Sequence, residues 1–208
     1  MVCAYADVMD AGEWNERYSD SELVWSAGPN MFVEQYCREL PVGRAIDLAA
    51  GEGRNAIWLA ELGWDSTAVD YSAVAIDKAR QIAERRGVAL DTEVADLAAY
   101  EPTPGGYDLV VVAYLQLVDD ELTPILRRAA AAVAPGGTLV LVSHDLSNLE
   151  HGHGGPQHPG VLTTPEQVVG AIGDTLEVER AEVAERLVHT DDGDRTALDT
   201  VVVACRAT

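Results

Sequence analysis

Short apolar runs alternate along this chain with stretches whose apolar residues recur at helical spacing. Arg44–Ala49, Thr67–Val69, Ala89–Val94, Tyr107–Ala113 and Thr138–His144 read as strands. Near-continuous hydrophobicity of this kind marks parallel strands buried on both faces. Between them lie helices. Arg54–Leu62 turns Ile57, Leu59 and Ala60 inward, and Gly63 stops it. Ser72 caps a helix to Arg86 that Gly87 ends, and Thr123 caps a helix over Pro124–Val133 with Pro124 in its first position. Pro135-Gly136-Gly137 then turns into the fifth strand. Thr164-Pro165-Glu166-Gln167 is a capping box that opens a helix to about Ile172. The β-prone runs Leu176–Leu187 and Ala197–Arg206 flank Asp191-Asp192-Gly193-Asp194, which predicts an antiparallel hairpin. Ahead of the first strand, Ala11–Tyr18 forms a short helix capped by Asp10. Phe32, Val33, Tyr36, Cys37 and Leu40 mark one face of another, ended before Pro41. The pattern predicts one domain over 1–208: a helical cap over 1–43 and an α/β core over 44–208. The core is a doubly wound, mostly parallel seven-stranded sheet with a C-terminal antiparallel hairpin.

Candidate chemistry concentrates between Arg44 and Asp70. The first strand carries a lone carboxylate, Asp47, and runs into Ala49-Ala50-Gly51-Glu52-Gly53. Glycines there let a ligand touch bare backbone, and the following helix start offers free N–H groups. Asp70 ends the second strand, where an acid can accept from both hydroxyls of a ribose. The unit is suited to hold a nucleoside.

Two families use such a unit. Gly51-x-Gly53-x-x-Ala56 with Asp70 satisfies the dinucleotide-binding pattern. Asp47-Leu48-Ala49-Ala50-Gly51-Glu52-Gly53 resembles the first motif of class I S-adenosylmethionine (AdoMet) methyltransferases, with Ala49 in place of the first family glycine. The order of strands and helices, the Pro-Gly-Gly before strand five and the closing hairpin extend the second resemblance over nearly the whole chain. Trp14-Asn15-Glu16-Arg17-Tyr18, Trp25 and Gly53-Arg54-Asn55 further resemble small-molecule methyltransferases of the tellurite-resistance and thiopurine types. The resemblance implies AdoMet as cofactor, with S-adenosylhomocysteine (AdoHcy) as product. It places the methionyl part over Ala49, Gly51, Gly53 and Asn55, with Asp47 beneath and Ala113 at the end of strand four. It places the ribose on Asp70, the adenine on Asp96 beside Tyr71, Ala95 and Leu97, and the aromatic rings of Tyr18 and Trp25 near the sulfonium. Tyr114 and His144, at the ends of strands four and five, are the catalytic candidates for an acceptor that needs a base. Methylation of a chalcogen oxyanion, a catalytically silent AdoMet-binding protein and an NAD-binding domain are the alternatives.

Composition narrows the partners. With a net charge of −21 over 208 residues the surface repels phosphate backbones and anionic lipid, so a small-molecule acceptor is expected, with neither nucleic acid nor membrane. Cys3, Cys37 and Cys205 are scattered and odd in number, which suits reduced thiols in the cytoplasm. The opening residues have no basic segment followed by an apolar core, so no signal peptide is expected. His151-x-His153 matches no standard zinc spacing, and no metal is expected. The 145–161 segment, with four glycines, two prolines and three histidines, is expected to be a loosely held loop at the ligand edge. A monomer and a homodimer are equally compatible with the sequence.

Overall fold

The computed structural model describes residues 11–19 and 28–208; Asp10 and Trp25 lie outside them. In chain order the elements are α1 (Ala11–Ser19), α2 (Met31–Cys37), β1 (Arg44–Leu48), α3 (Arg54–Glu61), β2 (Asp65–Asp70), α4 (Ala73–Arg86), β3 (Asp91–Val94), β4 (Tyr107–Ala113), α5 (Asp119–Ala132), β5 (Val133–His144), α6 (Asn148–His151), α7 (Pro165–Ile172), β6 (Glu177–Thr190) and β7 (Gly193–Cys205). The seven strands form one sheet in the order β3-β2-β1-β4-β5-β7-β6. Pairing is parallel from β3 through β5, while β7 runs antiparallel to both β5 and β6. The order reverses between β1 and β4, so a crevice opens beyond their carboxyl ends. Ligands of open α/β sheets bind in that crevice.

Strand alternation assigns the two faces. Ile46, Leu48, Val110, Val112, Leu139 and Leu141 point into a core covered by α5 and α7. Ala45, Leu109, Val111, Val140 and Val142 point the other way, against Phe32, Val33 and Cys37 of α2 and Trp58 and Leu59 of α3. Asp47 shares the second face with Ala45, by the period of two, and so a carboxylate sits beneath the start of α3.

Several element bounds differ from the sequence expectation. Helix α5 starts at Asp119 rather than Pro124, because Asp119, Asp120 and Glu121 supply an acidic first turn that complements the helix dipole. Pro124 falls inside that helix, close enough to its start that only one early ladder bond is lost. The pairing of β4 and β5 shifts register between Tyr107 and Leu109, which draws Pro135-Gly136-Gly137 into β5 as an irregularity. The hairpin strands are longer than expected and pair up to Thr190–Gly193. No helix joins β3 to β4. The 145–161 segment is anchored at Asp145 and Asn148, while 151–160 has no buried residue. Asp145 accepts from the Ser147 N–H at 2.8 Å and from the Thr200 hydroxyl at 2.7 Å. Asn148 accepts from the Leu198 N–H at 2.7 Å and donates to the Gly154 carbonyl at 2.8 Å.

The capping box at Thr164 forms as expected, with reciprocal bonds between Thr164 and Gln167. Replacing Thr164 with alanine removes a cap worth about 1 kcal/mol and is expected to lower the melting temperature by about 2–4 °C in scanning calorimetry. An unchanged midpoint would show that α7 is held by its buried face alone.

Candidate active site

The turn after β1 is held in a left-handed path. Ala49 (φ 62°), Gly51 (φ 54°) and Gly53 (φ 76°) all have positive φ. Ala49 adopts the conformation that glycine would, at a steric cost of about 1–2 kcal/mol. Gly53 serves packing: a Cβ there would stand 2.9 Å from the Ala79 methyl of α4. Asp70 clamps the turn. One carboxylate oxygen accepts from the Gly51 N–H at 2.8 Å and the other from the Ser72 N–H at 2.9 Å. Burial pushes the Asp70 carboxyl above its usual range, while those two bonds pull the other way. Ser72 in turn accepts from the Ala75 N–H as cap of α4 and donates to Asn15 of α1 at 2.6 Å. Lys78 of α4 bonds the Tyr18 carbonyl and pairs with buried Glu52 at 3.1 Å. One run of polar contacts therefore links the turn, α4 and the cap helix.

Asp47 is fully buried, and no donor completes a hydrogen bond to either of its oxygens. Burial pushes its pKa up to about 7, against the pull of the nearby Arg54 guanidinium, the Ala56 N–H and the Asn55 amide.

A cavity with about 930 Å³ of atom-free space, partly open to solvent, lies over the turn at the switch point. Of the residues expected to hold the cofactor, Tyr18, Ala49, Gly51, Asn55, Asp70, Tyr71, Asp96, Leu97 and Ala113 line it, and so does Tyr114. Asp47, Gly53, Ala95 and His144 are not walls of it, and Trp25 lies outside the described residues. Trp14, Ala50, Arg54, Leu115, Gln116 and Leu117 are walls that the sequence reading did not assign to the site. The last three follow Tyr114 at the carboxyl end of β4, so their position past the strand was the available signal. The Trp14 and Tyr18 rings stack at 5.5 Å on one side. Asp96 accepts from the Ala98 N–H at 2.8 Å, which fixes its carboxylate at the cavity rim.

Tyr114, directly after β4, also has positive φ (57°). Its hydroxyl donates to Asp199 of β7 at 2.9 Å and accepts from the Asn30 amide at 3.2 Å. Asp199 is fully buried. It also accepts from Arg186 of β6 at 2.6 Å and lies 3.2 Å from Nδ1 of His144. Burial alone would raise the Asp199 pKa, but the bonds from His144, Arg186 and Tyr114 outweigh it and hold the carboxyl below its usual range. Burial and Asp199 together push the Tyr114 phenol up, so it keeps its proton at neutral pH. The His144 ring lies 4.6 Å from that of Tyr114, and Gly155 covers it so closely that a Cβ would come within 3.1 Å. Nothing in the sequence pointed to Asp199, which comes from a hairpin strand far along the chain. His151 and His153 are exposed, and among the described residues no cluster of His, Cys, Asp or Glu has the geometry to hold a metal ion. No described helix is long and apolar enough to cross a membrane.

Residues 45–137 match a family model described as a methyltransferase domain. Over that segment the chain carries the sequence pattern of a methyltransferase domain. The first strand from Ala45 on, the glycine turn, Asp70 and Asp96 fall inside the matched segment. The chain is 34% identical over 133 residues to the tRNA 5-carboxymethoxyuridine methyltransferase of Escherichia coli (strain K12), covering 61% of this chain and 49% of that protein. It is 36% identical over 106 residues to the ubiquinone biosynthesis O-methyltransferase of Xanthomonas campestris pv. campestris (strain B100), covering 49% of this chain and 43% of that one. The chain thus spans about half the length of these curated relatives. Among solved structures, TehB from Haemophilus influenzae superposes with a TM-score of 0.73 at 17% identity, covering 95% of this chain and 67% of that one. Magnesium protoporphyrin IX methyltransferase from Synechocystis PCC 6803, solved with bound S-adenosylhomocysteine, gives 0.65 at 16% identity, covering 93% and 83%. These likenesses carry the fold: seven strands, with the antiparallel pair at the C-terminus.

The raised pKa of Asp47 has a stability consequence of definite sign. Its proton is held more tightly in the folded chain than in the unfolded one, so its contribution is full below about pH 4 and is lost as pH rises through about 7. In ligand-free protein, Asp47→Asn is expected to raise the melting temperature at pH 8 and to leave it nearly unchanged at pH 4. Equal shifts at both pH values would show that Asp47 is ionised throughout.

Proposed function

We propose that this chain transfers a methyl group from AdoMet to a small-molecule acceptor by in-line displacement at carbon. The observation that carries it is the convergence of the left-handed turn, Asp70 and Asp96 on one cavity, with the unpartnered Asp47 carboxylate beneath. The fit to the cofactor rests on those groups. Ala49–Gly53 offers backbone N–H and C=O groups to an amino acid, and Asp47 lies buried beneath that turn. Asp70 keeps lone pairs beyond its two turn bonds for ribose hydroxyls, and Asp96 accepts from the adenine amino group while Leu97 and Tyr71 flank the ring. Bound AdoMet supplies an activated methyl group on a sulfonium leaving group. The chain's own residues align the partners and exclude water. The Tyr18 ring offers a cationic centre about 0.5–2 kcal/mol of stabilisation, and Trp14 stacks behind it.

Tyr114 keeps its proton and serves as an oriented wall. His144, the other candidate, packs against the Tyr114 ring behind the cavity wall, with its Nδ1 3.2 Å from Asp199. A tRNA acceptor would follow the Escherichia coli relative. A net charge of −21 argues against it, because tRNA binding draws on clustered positive charge. The free thiols of Cys37 and Cys205 support a reducing, cytoplasmic setting.

A thermal-shift series with AdoMet, AdoHcy and NAD tests the cofactor: either adenosyl ligand at about 100 times its dissociation constant stabilises by about 2.7 kcal/mol. A response to NAD alone would overturn the proposal. Label transfer from methyl-tritiated AdoMet into small-molecule fractions, and not into bulk tRNA, is the outcome expected for the acceptor. Label found only in tRNA would replace that acceptor class. By calorimetric titration, Asp70→Ala is expected to weaken AdoHcy binding by about 10- to 100-fold, and Asp96→Ala by about tenfold or less, with circular dichroism unchanged. Unaltered affinity in Asp70→Ala would remove that residue from the site.

A further inference from the structure

The sheet has two outer strands, and they differ. β3 has four residues, whereas β6 has fourteen, and among the described residues no strand pairs with the outer edge of β6. Proteins commonly blunt such an edge by shortness, proline or lysine. β6 uses none of these, and a bulge interrupts it only near its start, between Val178 and Arg180. Of the seven large apolar side chains exposed among the described residues, Val178, Val183 and Leu187 stand on this one strand. β5 pairs with β7 only as far as His144 on Asp199. Beyond that point 193–198 of β7 and 185–190 of β6 have only each other as strand neighbours. A two-stranded ribbon is marginal without a further strand or packing.

The bonds of Leu198 show which backbone groups of β6 face outward. Leu198 gives its N–H to Asn148, and its carbonyl takes the Asp145 N–H, so both groups turn away from β6. Its partner Glu185 therefore sits in a non-hydrogen-bonded pair and turns its own N–H and C=O outward. By the period of two, Ala181, Val183 and Leu187 do the same.

The charges of the edge select what can pair with it. When two copies of one strand pair antiparallel about a two-fold axis, each residue opposes one at equal distance from the centre. Centring on Glu182, Glu185 or Arg186 sets that charge against itself, and centring on Val183 sets Arg180 against Arg186. Centring on Leu187 leaves only 184–190 paired. Centring on Ala184 sets Glu182 against Arg186 twice, Ala181 against Leu187 and Val183 against Glu185. No like charges then face each other over 180–188, which counts in a chain of net charge −21.

We propose that β6 pairs antiparallel with β6 of a second copy about a two-fold axis at Ala184, so that one sheet runs through a homodimer. Each ribbon gains a third strand from its partner. Glu182 of the partner subunit meets Arg186, which donates to Asp199 at 2.6 Å behind the Tyr114 wall of the cavity.

Sedimentation velocity of the whole chain over about 1–200 µM is expected to show a reversible monomer–dimer equilibrium with a micromolar dissociation constant. A monomer at every concentration would overturn the dimer. Val183→Pro removes an outward N–H, and Glu182→Arg sets like charges against each other. Each is expected to weaken the dimer by about tenfold or more, with thermal melting as the check on folding. Wild-type dimerisation in either folded variant would overturn the pairing. Ala184→Cys and Leu187→Cys read the register with the ladder intact. The two copies of position 184 form a non-hydrogen-bonded pair with Cα atoms about 4.5 Å apart, within disulfide reach. The two copies of position 187 lie about 20 Å apart. Under mild oxidation Ala184→Cys is expected to form a covalent dimer about tenfold or more faster than Leu187→Cys or the wild type with its own cysteines. Equal rates, or faster cross-linking of Leu187→Cys, would overturn the register even if the other variants fail to fold.

Discussion

The Asp70 carboxylate holds this site together. It sits at the end of β2, buried, and divides its two oxygens between the Gly51 N–H of one turn and the Ser72 N–H of the next. Without it the left-handed path through Ala49 and Gly51 would lose its cross-strand anchor. Ser72 would lose the bond that orients it as cap of α4. Ser72 also reaches Asn15, and Lys78 of the same helix reaches the end of α1, so the aromatic cap over the cavity rests on the same carboxylate. One acid thus serves the fold and the proposed ribose contact at once, since each carboxylate oxygen accepts more than one bond.

Around that clamp the chain keeps features that folding alone does not favour. Ala49 and Tyr114 are the non-glycine residues of positive φ among the described residues, and both line the cavity. Asp47 is a buried acid without a hydrogen bond, and Asp199 gathers Tyr114 and Arg186 on one buried carboxylate with His144 Nδ1 3.2 Å away. Strain and buried charge of this kind persist where the surrounding structure fixes them, and they gather where ligands act. Regular packing of the two apolar faces by α2 and α3 on one side and α5 and α7 on the other supplies the stability that tolerates them.

Much of this was legible in the sequence, for identifiable reasons. Strand β4 and helix α4 appear with the expected ends, because uninterrupted apolar runs and the Ser72–Gly87 caps are local signals. Asp70 and Asp96 stood out as candidates because Asp70 ends β2 and Asp96 follows β3 closely at the same edge of the sheet. Helix α5 was misplaced because proline was read as a start, although three acids ahead of it set the dipole. The anchors of the 145–161 segment, Asp145 on Thr200 and Asn148 on Leu198, join residues about fifty positions apart in sequence, and no local pattern reports them. Tyr114 was legible as a residue of the site, but its commitment to Asp199 was not, for the same reason. Gly53 read as a ligand contact, and its close packing on Ala79 is a second demand for glycine that the sequence did not report.

A crystal structure of the chain grown with AdoHcy tests the central claim most directly. The account predicts the ribose hydroxyls on the Asp70 carboxylate and the adenine beside Asp96 and Leu97. It predicts the homocysteine ammonium over the Ala49–Gly53 turn on the side of Asp47. A nucleoside bound away from Asp70, or a cavity that stays without it at saturating ligand, would contradict the account.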